Sequence, residues 1–278
     1  MRSNLMLGQR IITALTLLLL VLVAIFYLPT HLLALLLGAV MLIGASEWVV
    51  LAGLQTLAEK LGFYGVVTIA MLLAYQLLKN PDAAFWLFAA AAVWWFAVTL
   101  WILRYRSEGA TVPGRYVKSM MGLFVLVTTW TALVALHSYG SNGPLLMLFT
   151  MSLTWVADIG AYFSGRRWGR VKLAPAISPG KTREGVYGAL AGTAIWAGLF
   201  SWFMPEMAGM VELVIFCLLV CVVSVVGDLF ESLLKRQAGV KDSGKLLPGH
   251  GGMLDRIDSL TAVAPVFVFG LMLIGGGK

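Results

Sequence analysis

Charge is what this chain has least of. Acidic and basic side chains fill only 12% of its 278 positions, while 60% are hydrophobic; soluble domains carry about 25% charged residues. A water-soluble globule is excluded, because one of this size would have to hide more apolar surface than its interior holds. Cysteine is nearly missing too. Cys217 and Cys221 stand in one apolar run with no CxxC spacing and no neighbouring histidine. They form neither a disulfide framework nor a zinc site, and they read as inert buried thiols. No small-x-small cleavage site follows the first apolar run, which ends at Tyr27, Pro29 and His31, so it reads as a retained span. The period-two alternation of a membrane barrel is absent, as are a Pro- or Ser-rich linker and a repeat.

What the chain has instead is a series of long apolar runs. Nine lie near 11–28, 32–53, 64–78, 84–103, 119–138, 144–163, 186–204, 210–230 and 259–274, and a helix needs about 20 such residues to cross a bilayer. The third and ninth are short. The expectation is an all-α polytopic membrane protein with about nine transmembrane helices. With the N-terminus in the cytosol and the C-terminus outside, every Lys and Arg except Lys79 and Lys278 falls on the cytosolic side, as the positive-inside rule requires. Trp86, Trp101 and Tyr105 sit where interfacial aromatics belong. The net charge of +7 is then a matter of topology. It gives no reason to expect nucleic acid, and it favours anionic lipid head groups. A multi-pass protein of the cytoplasmic (inner) membrane is expected, its working face towards the cytosol.

Chemistry gathers late in the chain. Residues 1–140 read as a transmembrane scaffold and 141–278 as the catalytic region, with cytosolic loops 164–185 and 231–258. Asp158, Asp228 and Glu231 lie at membrane depth or its edge, where an ionisable group needs a partner or a task. Glu47, alone in the second run with no motif nearby, reads as a structural hydrogen-bonding group. In GDLFESLLKRQAGVKDSGKLLPGHGGMLDRIDS, residues 227–259, Asp228, Ser232 and Lys235 fall at i, i+4 and i+7, one helical face. Asp255 and Asp258 open the ninth run, and an antiparallel pair of runs brings Asp228 towards Asp255. Two carboxylates so placed call for a cation between them. Mg²⁺ suits them because it takes hard oxygen ligands and completes its shell with water and phosphate; a second cation stays open. Gly239, Gly244, Gly249, Gly251 and Gly252, interleaved with Lys241, Lys245 and His250, would let backbone amides approach a phosphate.

The earlier segment, 157–185, contains SPGKT, which looks like a phosphate loop and is not one. The pattern needs glycine where Pro175 stands, and no strand is expected before it. Ser178, Lys181 and Thr182 remain, at the start of the seventh run, and a helix N-terminus is an anion site. Arg166, Arg167 and Arg170 read either as topological anchors or as lipid-phosphate ligands.

The stretch SLLKRQAGVKDSGKLLPGHGGMLDRID resembles the signature of the CDP-diacylglycerol synthases, or phosphatidate cytidylyltransferases. The match falls on Ser232, Lys235, Arg236, Lys241, Asp242, Gly244, Pro248, His250, Gly251, Gly252, Asp255, Arg256 and Asp258. Upstream, Asp158, Ser178, Pro179, Lys181, Thr182 and Glu184 are similar to the family as well, which usually has lysine where Gly180 stands. The resemblance implies a reaction of CTP with phosphatidate giving CDP-diacylglycerol and pyrophosphate, dependent on Mg²⁺. It also implies a homodimer with the active site in the C-terminal spans. The metal falls to Asp228 and Asp255, and phosphates to Lys235, Arg236, Lys241 and Arg256. Ser178, Lys181 and Thr182 take the lipid or triphosphate, and His250 a phosphate or the placing of the Gly251–Gly252 pair. Asp242 and Asp258 join the catalytic group; Asp158, Ser232, Gly251 and Gly252 join the substrate-binding group. The alternatives are a CTP-dependent prenol or dolichol kinase, which must activate a hydroxyl, and an ion-coupled transporter, which needs matching polar sites in two halves.

Overall fold

A computed structural model describes the backbone of residues 2–105, 112–203, 209–246 and 251–275, with side chains in those ranges from 15 to 274. Among the described residues there are nine α-helices: α1 (Arg2–Tyr27), α2 (Thr30–Ala52), α3 (Leu57–Leu77), α4 (Pro81–Arg104), α5 (Arg115–His137), α6 (Gly143–Trp168), α7 (Arg183–Ser201), α8 (Met210–Gln237) and α9 (Leu254–Gly275). Each apolar run lands on one helix. Seven of them, α2 to α6, α8 and α9, are long and apolar enough to cross a membrane. The protein is therefore a helical, polytopic membrane protein.

Helix starts follow local chemistry. Thr56 caps α3 in a reciprocal box: its hydroxyl accepts from Glu59 N at 3.2 Å, and Glu59 Oε2 accepts from Thr56 N at 3.1 Å. That box carries α3 back to Leu57, well before the expected start at 64. Asn80 Oδ1 accepts from the amides of Asp82 and Ala83, and Pro81 at the first helical position costs no hydrogen bond. Within α9, Pro265 cannot donate to the carbonyl of Thr261. The hydroxyl of Thr129 on α5 lies 3.2 Å from that carbonyl and shares its one proton between it and Val125 O, at 2.6 Å.

α5 and α9 form the middle of the bundle. Trp48 Nε1 on α2 donates to Lys118 O at 2.8 Å, and Trp130 Nε1 on α5 donates to Ala34 O at 2.9 Å. These indoles lock α2 to α5, and Gly122 leaves the room Trp48 fills. α6 and α7 meet backbone to backbone: a β-carbon on Gly160 would lie 2.5 Å from Gly188 O. Small residues permit such approach in lipid, where packing rather than apolar burial drives association. The outward faces are apolar, with Leu103 75% and Leu35 71% exposed, as a bundle solvated by lipid requires.

One expectation is corrected. Between α6 and α7 stands a small antiparallel hairpin, β1 (Lys172–Ala174) and β2 (Ser178–Thr182). SPGKT is thus a strand with another before it, in a fold otherwise helical. Pro175 and Pro179 keep the segment out of a helix, an edge strand tolerates the missing proline N–H, and buried Ile177 (3% exposed) pins the turn to the bundle.

Candidate active site

Six elements, α6 to α9 and both strands of the hairpin, line a cleft of about 420 Å³. α6 contributes Asp158, Tyr162 and Arg166, β2 contributes Lys181 and Thr182, and α8 contributes Ser224 and Asp228, with Ser259 of α9 beneath. Thr182 is also the N-cap of α7, its hydroxyl accepting from Gly185 N at 3.2 Å. Lys181 pairs with Asp228 across the cleft, each about a quarter exposed. Asp228 Oδ1 accepts from Ser232 Oγ at 3.3 Å, one turn further on. Arg236 Nε donates to Ile177 O at 3.3 Å, tying the end of α8 to the hairpin. Gly180 lines the cleft.

A second cluster lies on the next turns of α8. Lys235 Nζ is 2.6 Å from Asp255 Oδ1 and 3.1 Å from Glu231 Oε1. The Glu231 oxygen is near enough for ion pairing but off the line of a hydrogen bond. Asp255 Oδ2 accepts from Ser243 N at 3.0 Å and Gly252 N at 2.8 Å. Gly251 turns the chain with φ +81°, which favours glycine. α8 and α9 are in close contact here: a β-carbon on Gly227 would lie 2.8 Å from Asp258 O. Among the described residues Asp258 Oδ1 accepts only from its own neighbour, Ser259 N.

The structure thus brings Asp158, Lys181, Thr182 and Asp228 to one cleft, and Lys235, Gly252 and Asp255 to the adjoining cluster. Asp228 and Asp255 do not face each other alone, because each holds a lysine. Ser178 stands on β2, while Lys241, Asp242 and Arg256 are exposed with no ion pair among the described residues. His250 lies outside the described residues.

Two features escaped the sequence. Of the glycine amides expected to approach a phosphate, that of Gly252 is taken by Asp255, and the next two amides, Met253 N and Leu254 N, are taken by Glu47, at 2.7 and 2.8 Å. Glu47 also accepts from Ser243 Oγ at 2.8 Å. It is a structural hydrogen-bonding group, as expected, but its partners lie in the charged loop. Its sole sequence signal was an acid in an otherwise apolar run.

The donor chemistry fits Mg²⁺. Asp158, Asp228, Glu231, Asp255 and Asp258 stand at these two places, and two lysines pair with three of them, Asp228, Glu231 and Asp255. Among the described residues no three metal-binding side chains form a ready cage. Mg²⁺ does not need one, since one or two carboxylates suffice when substrate phosphates supply the rest.

A helical membrane bundle with lysines and excess carboxylates gathered at a cleft and the cluster beside it is the kind of protein that handles a phosphorylated substrate. More narrowly, the chain belongs to the cytidylyltransferase family, whose model matches residues 8–274. It is 44% identical over 274 residues to a phosphatidate cytidylyltransferase of Pseudomonas aeruginosa, covering 98% of this chain and 99% of that one. A phosphatidate cytidylyltransferase of Haemophilus influenzae is 36% identical, over 95% of this chain and 98% of its own. One of Thermotoga maritima is 44% identical over 133 residues, 46% of this chain and 49% of its own.

Proposed function

We propose that the protein is a phosphatidate cytidylyltransferase, joining CTP to phosphatidate to give CDP-diacylglycerol and pyrophosphate. The cleft holding Lys181, Asp228 and Asp158 carries this reading, in a chain matched nearly end to end by relatives that bear this name. A phosphate oxygen of the lipid attacks the α-phosphorus of CTP. The bond from that phosphorus to the bridging oxygen breaks, and pyrophosphate leaves with the electron pair. The nucleophile is already an anion, so no strong base is required. Catalysis becomes alignment and neutralisation of charge.

Lys181 and Thr182, with Ser178, stand where they would meet the lipid phosphate or the triphosphate. Arg236, Lys241 and Arg256 add positive charge around the incoming nucleotide, and Lys235 sets the position of Asp255. Asp228, with Asp255, would hold Mg²⁺, which on binding neutralises phosphate charge and orients the leaving group. On this reading the first 140 residues are mainly scaffold. All nine helices span an inner membrane, the N-terminus and the cleft face the cytosol, and the chain acts as a homodimer.

The reaction is tested by its stoichiometry. Purified protein given CTP, phosphatidate and Mg²⁺ is expected to release one pyrophosphate per phosphatidate consumed. Release of CDP would make the protein a kinase, and an absence of turnover would leave a transporter; either result overturns the proposal.

A further inference from the structure

Glu47 is 6% exposed and sits on α2, outside both charged loops. Among the described residues no Lys, Arg or His forms an ion pair with it. A buried carboxylate must be hydrogen-bonded to persist, and all of its partners belong to one segment. Oε2 accepts from Ser243 Oγ and Leu254 N, and Oε1 from Met253 N. Leu254 opens α9, so two of these donors are amides that a helix leaves free at its start, where negative charge is favoured. The chain is shaped to admit the carboxylate: a β-carbon on Gly244 or Gly252 would lie 2.5 Å from a Glu47 oxygen.

On the other side of the same segment, Asp255 takes the amides of Ser243 and Gly252 with one oxygen and Lys235 with the other. Ser243 and residues 252–254 are therefore clasped between two carboxylates. One comes from α2, the other is Asp255. We propose that Glu47 is a positioning residue for nucleotidyl transfer: by holding the start of α9 and Ser243, it sets Asp255 against Lys235. The inference rests on the reading that Asp255 and Lys235 serve the reaction.

The test compares Glu47→Gln, Glu47→Asp, Ser243→Ala and the Glu47→Gln/Ser243→Ala double variant in purified protein. CTP half-saturation, kcat per folded molecule and amide exchange at 252–255 are measured. A Gln at position 47 presents one acceptor and one donor group, so at least one amide loses its partner. Loss of such a supporting group typically costs about 10–100-fold in activity. Glu47→Gln is expected to lower kcat about that much, raise half-saturating CTP several-fold and speed exchange at Met253 and Leu254. Glu47→Asp recovers part of the loss. Ser243→Ala shifts the same quantities less, and the double variant is no worse than Glu47→Gln, as residues in one network behave.

Parent-like kinetics in Glu47→Gln overturn the proposal. So does a lower total activity that only follows the loss of folded protein, with kcat per folded molecule and half-saturating CTP unchanged, which marks a purely structural stitch. Asp255→Asn separates the two readings. If it is inactive and Glu47→Gln is normal, only this inference fails; if Asp255→Asn is as active as the parent, the reading of the site fails.

Discussion

Lys181 and Lys235 each hold an aspartate of the site, and their surroundings separate their roles. Lys181 and Asp228 are about a quarter exposed, and partly solvated pairs contribute about 0–1 kcal/mol. Lys181→Ala is expected to lower kcat/KM by about 100-fold or more, the scale of losing a charge-stabilising group, while Tm moves little. Lys235 is closed in by Glu231 and Asp255, all three side chains nearly buried. Lys235→Ala leaves two carboxylates without their cation, a change that costs about 3–5 kcal/mol, so activity and Tm fall together. Kinetics paired with a melting curve checks the contrast; equal melting losses in the two variants would contradict it. The closeness of Asp228 to Ser232 was legible in the sequence because a helix fixes neighbours four apart, and the same spacing joins Glu231 to Lys235 in the structure. The bond from Glu47 to Ser243 spans 196 residues, so no local pattern announces it. Glycines 244 and 252 were legible as sites of close approach. What approaches them is a carboxylate of the protein itself.

Elements were legible wherever apolarity decides and misread where polar atoms do. The apolar run of α9 begins at 259, and the helix begins at Leu254 with Asp255 in its first turn, as the acids at its opening lead one to expect. What the sequence did not show is that Glu47 satisfies amides there. The hairpin stayed hidden because SPGKT has no strand-like alternation and is held through Ile177 and Arg236. α9 also contains Pro265, and the Thr261 carbonyl it orphans lies within reach of Thr129. Thr129→Val keeps shape and removes the hydroxyl shared between Val125 O and Thr261 O, at a cost of about 1 kcal/mol. A lower Tm with near-parent CTP half-saturation is expected, because Thr129 lies away from the cleft. An unchanged Tm would mean that neither carbonyl needs this donor.

At the scale of the whole molecule, helices with lipid-ready faces surround a cleft formed by α6–α9 and the hairpin, with charged side chains set in a largely apolar lining. The proposed orientation is open to labelling, since Cys217 and Cys221 are buried and leave a clean background. A membrane-impermeant maleimide is expected to modify Lys79→Cys in intact cells, and Lys241→Cys only after permeabilisation; the reverse pattern would turn the protein over. The placement explains the architecture, because one substrate lives in the bilayer and the other in water. The most direct measurement of the central claim uses CTP labelled at the α-phosphorus, with phosphatidate and Mg²⁺. The account predicts label in the lipid phase, and none there from Asp228→Asn. Label remaining in water-soluble CDP or CTP, or transfer undiminished in Asp228→Asn, would contradict it.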